Sequence, residues 1–437
     1  MAYDGPGHKE DGVRLLIIAP EPITAHLAGP GIRSLMLAQQ LSRDVETTLA
    51  VPQTHDLPVL EAGQVCAWTR QSVLGLLANH DVVLSQGMQY PARGCLPTRQ
   101  RRIVQVFDLH NPVMFEILAD QYAPHAQLDH LQRLTAFLLQ RGDYFLCASP
   151  QQRTLWLGAL YVCRRLTAQT FEDTLDQMIG IVPFGHAGAA PQPTRPVLKG
   201  VIPGIAPSDK VLLWGGGVWN WFDPLTLIRA MAAIGQERQD VKLFFMGTHL
   251  PQAANAPNQM ASQAQSLARE LGLLGRSVFF HDTWVPFAER GNYLLEADLA
   301  VCTAPQGLEN AFAFRTRLVD ALWAGVPIVC TREGFFADYV TQQAIGLTVA
   351  SGDVPGLAQA LVTALRPDRQ ACFRANIAAC RDDLHWERCV QPLRDFCQRV
   401  AHGEYQRPAE PSWRPWIQYL RYKMPTVLEY LRGHEPA

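Results

Sequence analysis

Short apolar runs of strand length recur along this chain, each separated from the next by a longer polar or helical stretch. That alternation constrains the fold more than any other feature. The first run, residues 13–19 (Val-Arg-Leu-Leu-Ile-Ile-Ala), is closed by Pro20-Glu21-Pro22 and then by Ala28-Gly29-Pro30-Gly31. Ile32, Leu35, Met36 and Leu41 follow at near-helical spacing, and residues 45–51 supply the next strand. Further strands are expected at 81–85, 103–107 and 143–148, with a helix over 128–140. Strands that are apolar throughout and alternate with helices predict a parallel sheet covered on both faces.

The composition turns to Pro, Gly and Ala over 187–207, a plausible linker, and then the pattern restarts. Residues 210–214 read as strand, Gly215-Gly216-Gly217 as turn and 223–234 as helix, with more strands at 241–246, 278–280, 298–302 and 326–330. A strand, a glycine turn and a helix thus head each half. The predicted fold class is α/β: two Rossmann-like, doubly wound parallel-sheet domains facing across a cleft, with ligands at the carboxyl ends of the strands. The expected bounds are 1–195 for the first domain, 196–403 for the second and 404–437 for a helical tail packing back on the first. At 437 residues the length suits two domains.

Charge and cysteine usage narrow the function. Lys and Arg total 38 against 40 Asp and Glu, a net charge of −2, which speaks against nucleic acid as a partner. The opening residues are too polar for a signal peptide, and no run reaches the ~18 apolar residues of a membrane span. The expectation is a cytoplasmic protein, with the inner face of a membrane as an alternative station. The ten Cys include no C-x-x-C pair, so no metal site is expected, and Cys372, Cys380, Cys389 and Cys397 read as one buried helical stripe.

Three clusters carry chemistry. A glycine turn before a helix lets backbone N–H groups and the positive helix end approach a phosphate, which makes Gly31, Gly216 and Gly217 candidates; the competing reading is a tight connection. Arg33 follows the first turn with reach toward a phosphate or, alternatively, as a solvated charge. Asp108 and His110 stand at the carboxyl end of the 103–107 strand, where cleft chemistry gathers, His110 able to exchange a proton with a hydroxyl or to serve as a structural histidine. In 307–329, a loop, a helix, a glycine stop and a strand, Arg315 and Arg317 sit near the helix start, where the dipole is already positive, so an anion should compensate them. Glu309 and Asp320 supply acceptors for sugar or ribose hydroxyls; the alternative is that they pair with the arginines.

The segment Leu318-Val-Asp-Ala-Leu-Trp-Ala-Gly-Val-Pro-Ile-Val329 resembles the helix and strand of retaining nucleotide-sugar glycosyltransferases of the GT-B architecture, especially glycosyltransferase family 4, whose consensus runs Glu-Ala-Met-Ala-x-Gly-x-Pro-Val-Val. The Gly-Pro-Gly-Ile-Arg33 opening, Ile181-Val-Pro-Phe-Gly185 and Leu212-Leu-Trp-Gly-Gly-Gly217 extend the resemblance. It implies sugar transfer from a nucleoside diphosphate sugar to an acceptor hydroxyl, with retention and with neither cofactor nor required metal. By position, Asp320 is similar to the second acid of the family's Glu-x(7)-Glu motif, which holds ribose. Glu309 resembles the first acid, which addresses the sugar, Arg33 the arginine after the glycine loop, and His110 the histidine near the reacting sugar.

Phe312, however, stands eight residues before Asp320, and the family's Gly-Arg and Lys-Gly pair is missing after 210–214. Arg315 or Arg317 is expected to neutralise the diphosphate in its place. These departures keep two alternatives open, an inactive GT-B scaffold or partner of an active transferase and a sugar-nucleotide epimerase. The leading expectation is a hexosyltransferase in polysaccharide or glycoconjugate assembly, acting on a glycan or a lipid-linked acceptor. In the tail, Trp413, Trp416, Ile417 and Leu420 share a helical face beside Arg414, Arg421 and Lys423. Packing on the first domain is the favoured reading, with Pro425 shortening the helix, and peripheral membrane contact is the other.

Overall fold

The structure, a computed structural model, describes residues 12–69, 71–86, 103–121, 127–166, 175–186, 188–248, 258–405 and 414–431, the last seven as backbone only. The chain forms two compact units. One comprises Met1–Met114, Pro124–Pro183 and Trp386–Ala437; the other comprises Phe115–Ala123 and Phe184–His385.

The strands of the first unit are β1 (Arg14–Ile18), β2 (Glu46–Val51), β3 (Gln64–Ala67), β4 (Val82–Ser85), β5 (Val104–Asp108), β6 (Tyr144–Cys147) and β7 (Ile179–Ile181). They lie in the order β3-β2-β1-β4-β5-β6-β7, every pairing parallel. The helices through this stretch are α1 (Gly29–Leu41), α2 (Val73–Ala78), α3 (Val113–Ala119), α4 (Leu128–Arg141) and α5 (Pro150–Val162). Local chemistry sets their starts: Pro30 occupies the first turn of α1, and Ser149 caps α5 by accepting the Gln152 N–H while Pro150 begins the helix.

The second unit carries β8 (Lys210–Trp214), β9 (Val241–Phe245), β10 (Val278–Phe280), β11 (Leu299–Cys302), β12 (Ile328–Thr331) and β13 (Gly346–Val349) in the order β10-β9-β8-β11-β12-β13, again all parallel. Its helices are α6 (Pro224–Ile234), α7 (Gln259–Glu270), α8 (Arg290–Leu295), α9 (Leu308–Phe312), α10 (Thr316–Ala324), α11 (Gly334–Gln342), α12 (Val354–Ala364) and α13 (Pro367–Cys380). Gly325 ends α10 in the left-handed conformation, φ 72°. Both sheets agree with the expected doubly wound class. Strand β13 was not anticipated: its four residues begin with Gly346, where any Cβ would lie 1.8 Å from the Ile328 carbonyl oxygen, so the backbone pairing itself demands glycine.

The Pro-rich 187–207 stretch, expected as a linker, is packed into the second unit where it is described. The Glu296 carboxylate accepts N–H bonds from Val197 at 2.7 Å, Leu198 at 3.0 Å and Lys199 at 2.6 Å, and Val197, Leu198 and Ile205 are buried. Beyond β13 the chain leaves the second unit at His385 rather than near 403. Helices α14 (Trp386–Cys389) and α15 (Gln391–Ala401) belong to the first, where Phe396 stacks on Tyr144 at 4.2 Å and Arg394 pairs with Asp44 at 2.8 Å. The cysteine stripe dissolves accordingly. Cys372 is exposed on α13, while Cys380, Cys389 and Cys397 are buried on three successive helices, because breaks after 380 and 389 reset the helical phase.

The tail helix α16 (Arg414–Leu431) also lies in the first unit and packs on α4. It runs through Pro425, which removes one helical N–H without ending the helix. Trp413 lies outside the described residues. The seated face is formed by Tyr419 and Tyr422, whose rings lie 6.2 and 5.3 Å from Phe137, while Trp416, Ile417 and Leu420, the residues expected to pack, are exposed. No helix among the described residues is long and apolar enough to cross a membrane.

Candidate functional site

Each unit gathers charged side chains at the carboxyl ends of its strands. In the first unit β5 ends at Asp108, and the following turn brings His110 beside it, with His110 Nδ1 3.3 Å from Asp108 Oδ2. Arg33, from the first turns of α1, is completely buried and grips both carboxylate oxygens, Nη2 donating to Oδ1 at 3.0 Å and Nε to Oδ2. Arg33 is thus committed to Asp108, where the sequence suggested a phosphate or bulk water. Burial accounts for this, since a guanidinium with no exposed surface requires a carboxylate. Burial alone would raise the Asp108 pKa, yet Arg33 and His110 outweigh it and hold the group below the ordinary carboxylate range. Burial lowers the His110 pKa against the pull of Asp108, keeping the imidazole neutral near pH 7.

The surrounding backbone is tied down by residues that sequence reasoning missed. The Gln152 side-chain amide donates to the His110 carbonyl at 2.7 Å, and the Trp156 indole donates to the Leu109 carbonyl at 3.0 Å. The Gly31 N–H, expected at a phosphate, donates to Glu21 Oε1 at 2.7 Å, and a Cβ on Gly31 would meet that oxygen at 2.8 Å. Glu21, with its pKa raised by burial, Asp108 and His110 all face a cavity of about 270 Å³ whose other walls are largely apolar, including Met114, Leu131, Leu134 and Trp156.

In the second unit β8 runs into Gly215-Gly216-Gly217. Gly216 sits at φ +106°, which strains any other residue, and a Cβ on Gly217 would lie 3.1 Å from both Trp219 and Trp284, so those rings would have to shift to admit one. Arg315 and Arg317, both at the start of α10, have different partners. Arg315 is chelated by Glu309, at 2.8 and 2.6 Å, and also donates to Asn310 at 3.2 Å. Burial opposes its charge, but Glu309 prevails and its pKa is raised.

Among the described residues Arg317 pairs with no carboxylate. Its Nη2 donates to the Gly217 carbonyl at 2.8 Å, and its guanidinium lies 4.2 Å from the Phe222 ring centre and 5.0 Å from that of Trp214. Its Nη1 makes no hydrogen bond among the described residues. Desolvation pulls its pKa down to about 10. Asp320, one turn further along α10, pairs with Arg290 at 3.1 Å rather than with Arg317.

Arg290, which the sequence did not single out, is sandwiched between Phe287 at 3.6 Å and Trp323 at 4.5 Å. Phe312, where the acidic pattern would have its first acid, stacks on Phe115 at 5.6 Å. Glu296 and Asp298, the nearest approach to an acidic metal motif, are occupied by backbone N–H groups and, at Asp298, by Lys199 at 2.8 Å and Lys210 at 3.1 Å.

Residues 209–367 match the family model of the group 1 glycosyl transferases. No curated protein matches the chain. Among solved structures, sucrose-phosphate synthase (tll1590) from Thermosynechococcus elongatus superposes with a TM-score of 0.61 at 16% identity, covering 90% of this chain and 100% of that one. WaaG, a glycosyltransferase involved in lipopolysaccharide biosynthesis, gives 0.60 at 16% identity over 88% and 99% of the two chains. Anabaena Alr3699/HepE in complex with UDP-glucose gives 0.59 at 15% identity over 90% and 99%. At these identities the likeness is one of fold, and the fold is that of the GT-B glycosyltransferases.

Proposed function

From a GT-B fold whose second unit carries the group 1 glycosyl transferase pattern, we propose that this protein transfers a glycosyl group from a nucleoside diphosphate sugar to an acceptor hydroxyl, with retention and without a required metal, in polysaccharide or glycoconjugate assembly. The observation that carries the reading is Arg317, a partly buried guanidinium that pairs with no carboxylate among the described residues and stands at a turn of three glycines. A partly buried cation of that kind is stabilised by an incoming anion, and the diphosphate leaving group gains negative charge as the glycosidic bond breaks. Arg317 and the Gly216–Gly217 backbone therefore bind the diphosphate more tightly in the transition state than in the ground state. Asp320, oriented by Arg290, accepts the ribose hydroxyls. Glu309, held by Arg315, addresses the transferred sugar. In the first unit the 270 Å³ cavity takes the acceptor, and neutral His110, oriented by Asp108, meets the reacting hydroxyl. Arg33 serves by holding Asp108.

The test is calorimetric titration with UDP, GDP, ADP and dTDP, followed by assays of donor hydrolysis and transfer with and without EDTA. Absence of binding to all four nucleotides would refute the proposal at its first step. A second reading, a GT-B partner protein without transferase activity, draws on Phe312 at the first-acid position and on the closed Glu309–Arg315 pair. Nucleotide binding with neither hydrolysis nor transfer, plus co-purification with an active transferase, favours that reading. Interconversion of donor sugars without any acceptor would instead identify an epimerase.

A further inference from the structure

Helix α16 presents two different faces. Tyr419 and Tyr422 seat it on α4, Tyr422 being 7% exposed, and Gln418 accepts a hydrogen bond from Arg141 at 3.3 Å. The opposite side carries Trp416, Ile417, Leu420 and Met424, which are 49, 40, 52 and 49% exposed. At ~100° of rotation per residue these four fall within an arc of about 100°, a continuous apolar stripe rather than scattered contacts. Lys423 lies at one edge of the stripe and Arg414 and Arg421 at the other, and residues 414–424 contain no Asp or Glu. A chain with a net charge of −2 has therefore concentrated three positive charges, uncompensated by any acid in this segment, around its exposed apolar helix face.

We propose that this face docks the first unit on an anionic phospholipid surface, with Trp416, Ile417, Leu420 and Met424 entering the headgroup–acyl boundary and Arg414, Arg421 and Lys423 reaching the lipid phosphates. The charge pattern selects this occupant. A second copy of the chain would bring the same positive charges to face one another, whereas an anionic bilayer is complementary to all three and accepts an apolar stripe of this width. Long basic side chains at the stripe's edges suit an interface, because their stems cover apolar surface while their heads stay in water. The helix that seats α16 also supplies Leu131, Leu134 and Leu138 to the cavity beside His110, so docking fixes that cavity relative to the lipid plane.

The test is flotation of the full chain with phosphatidylcholine vesicles and with phosphatidylcholine–phosphatidylglycerol vesicles at low and high salt. The wild type is expected to float with the anionic vesicles only, and less at high salt. Trp416→Ser with Leu420→Ser, and separately Arg414→Gln with Arg421→Gln and Lys423→Gln, are each expected to lower partitioning by about tenfold or more. Four of the five positions lie off the seat on α4, Lys423 stands at its edge with Nζ 5.0 Å from the Tyr422 ring centre, and unchanged circular dichroism verifies the fold. Nucleotide titration of the same variants should be unaltered, so loss of lipid binding and failure of the transferase reading are separate results. The proposal is overturned if the wild type stays with neither vesicle, if both variants float as it does, or if sedimentation reveals a dimer that the serine variant dissociates.

Discussion

The Arg33 cluster of the first unit and the Arg317 cluster of the second are built from the same parts, a guanidinium beside a glycine turn at the end of a parallel strand. Their electrostatics are opposite. Arg33 is wrapped around Asp108, which in turn faces His110, so the charges are balanced inside the protein. Arg317 has one carbonyl and two aromatic faces, and its affinity for its own proton has fallen. A buried cation with an internal carboxylate organises structure, whereas under the proposed function one without such a partner among the described residues is held for the donor diphosphate. Arg315, two residues before Arg317, falls with Arg33 in the first class through Glu309.

The sharpest way to break this contrast is Asp108→Ala, which leaves Arg33 buried without its carboxylate. It should cost about 3–5 kcal/mol of stability in urea unfolding. A loss below that of an ordinary surface substitution would mean that the pair contributes little. Glu309→Gln strips Arg315 in the same manner at a less enclosed site, and about 2 kcal/mol is expected from the same measurement. For Arg317→Ala the expectation reverses: the unfolding midpoint should hold or rise, while affinity for the best-binding nucleoside diphosphate falls by about tenfold or more in calorimetry. Destabilisation comparable to that of Asp108→Ala would move Arg317 into the structural class.

The smallest effect concerns pH. The His110 pKa is lowered on folding from 6.5, so below that value the unfolded chain takes up a proton that the folded chain refuses. Stability contributed by neutral His110 is therefore present above pH 6.5 and is lost progressively as pH falls toward the folded pKa. His110→Gln should flatten the decline of the urea midpoint across that window, and an unchanged slope would show that the ring titrates freely.

Much of the architecture was legible because parallel strands buried on both faces must be apolar throughout. Runs such as those at β1, β8 and β12 announce themselves, and the glycine turn after β8 is visible at once. Strand β3 escaped because its outer residues are exposed and its pattern is that of an edge, and β13 because it is short and starts with a glycine that only its contact with β12 explains. At the site, the residue types and their positions at strand ends were readable, and their partners were not. Asp320 finds Arg290, 30 positions away, and Arg33 finds Asp108, 75 away. Neither pairing leaves a mark in local spacing. The same holds for α16: its amphipathic character was visible, but the tyrosine face took the seat on α4 and the tryptophan–leucine face stayed outside, because Phe137 offers an aromatic surface that the rings of Tyr419 and Tyr422 match.

By itself, then, the sequence determined the alternation of strands and helices, the two sheets and the gathering of charged residues beyond their carboxyl ends. These follow from short-range periodicity and from the need to bury apolar runs. Which arginine is paired with a carboxylate and which with a backbone carbonyl was decided only by the tertiary structure. A buried charge is governed by whichever group folding brings within a few ångströms, and in this chain those groups come from distant segments.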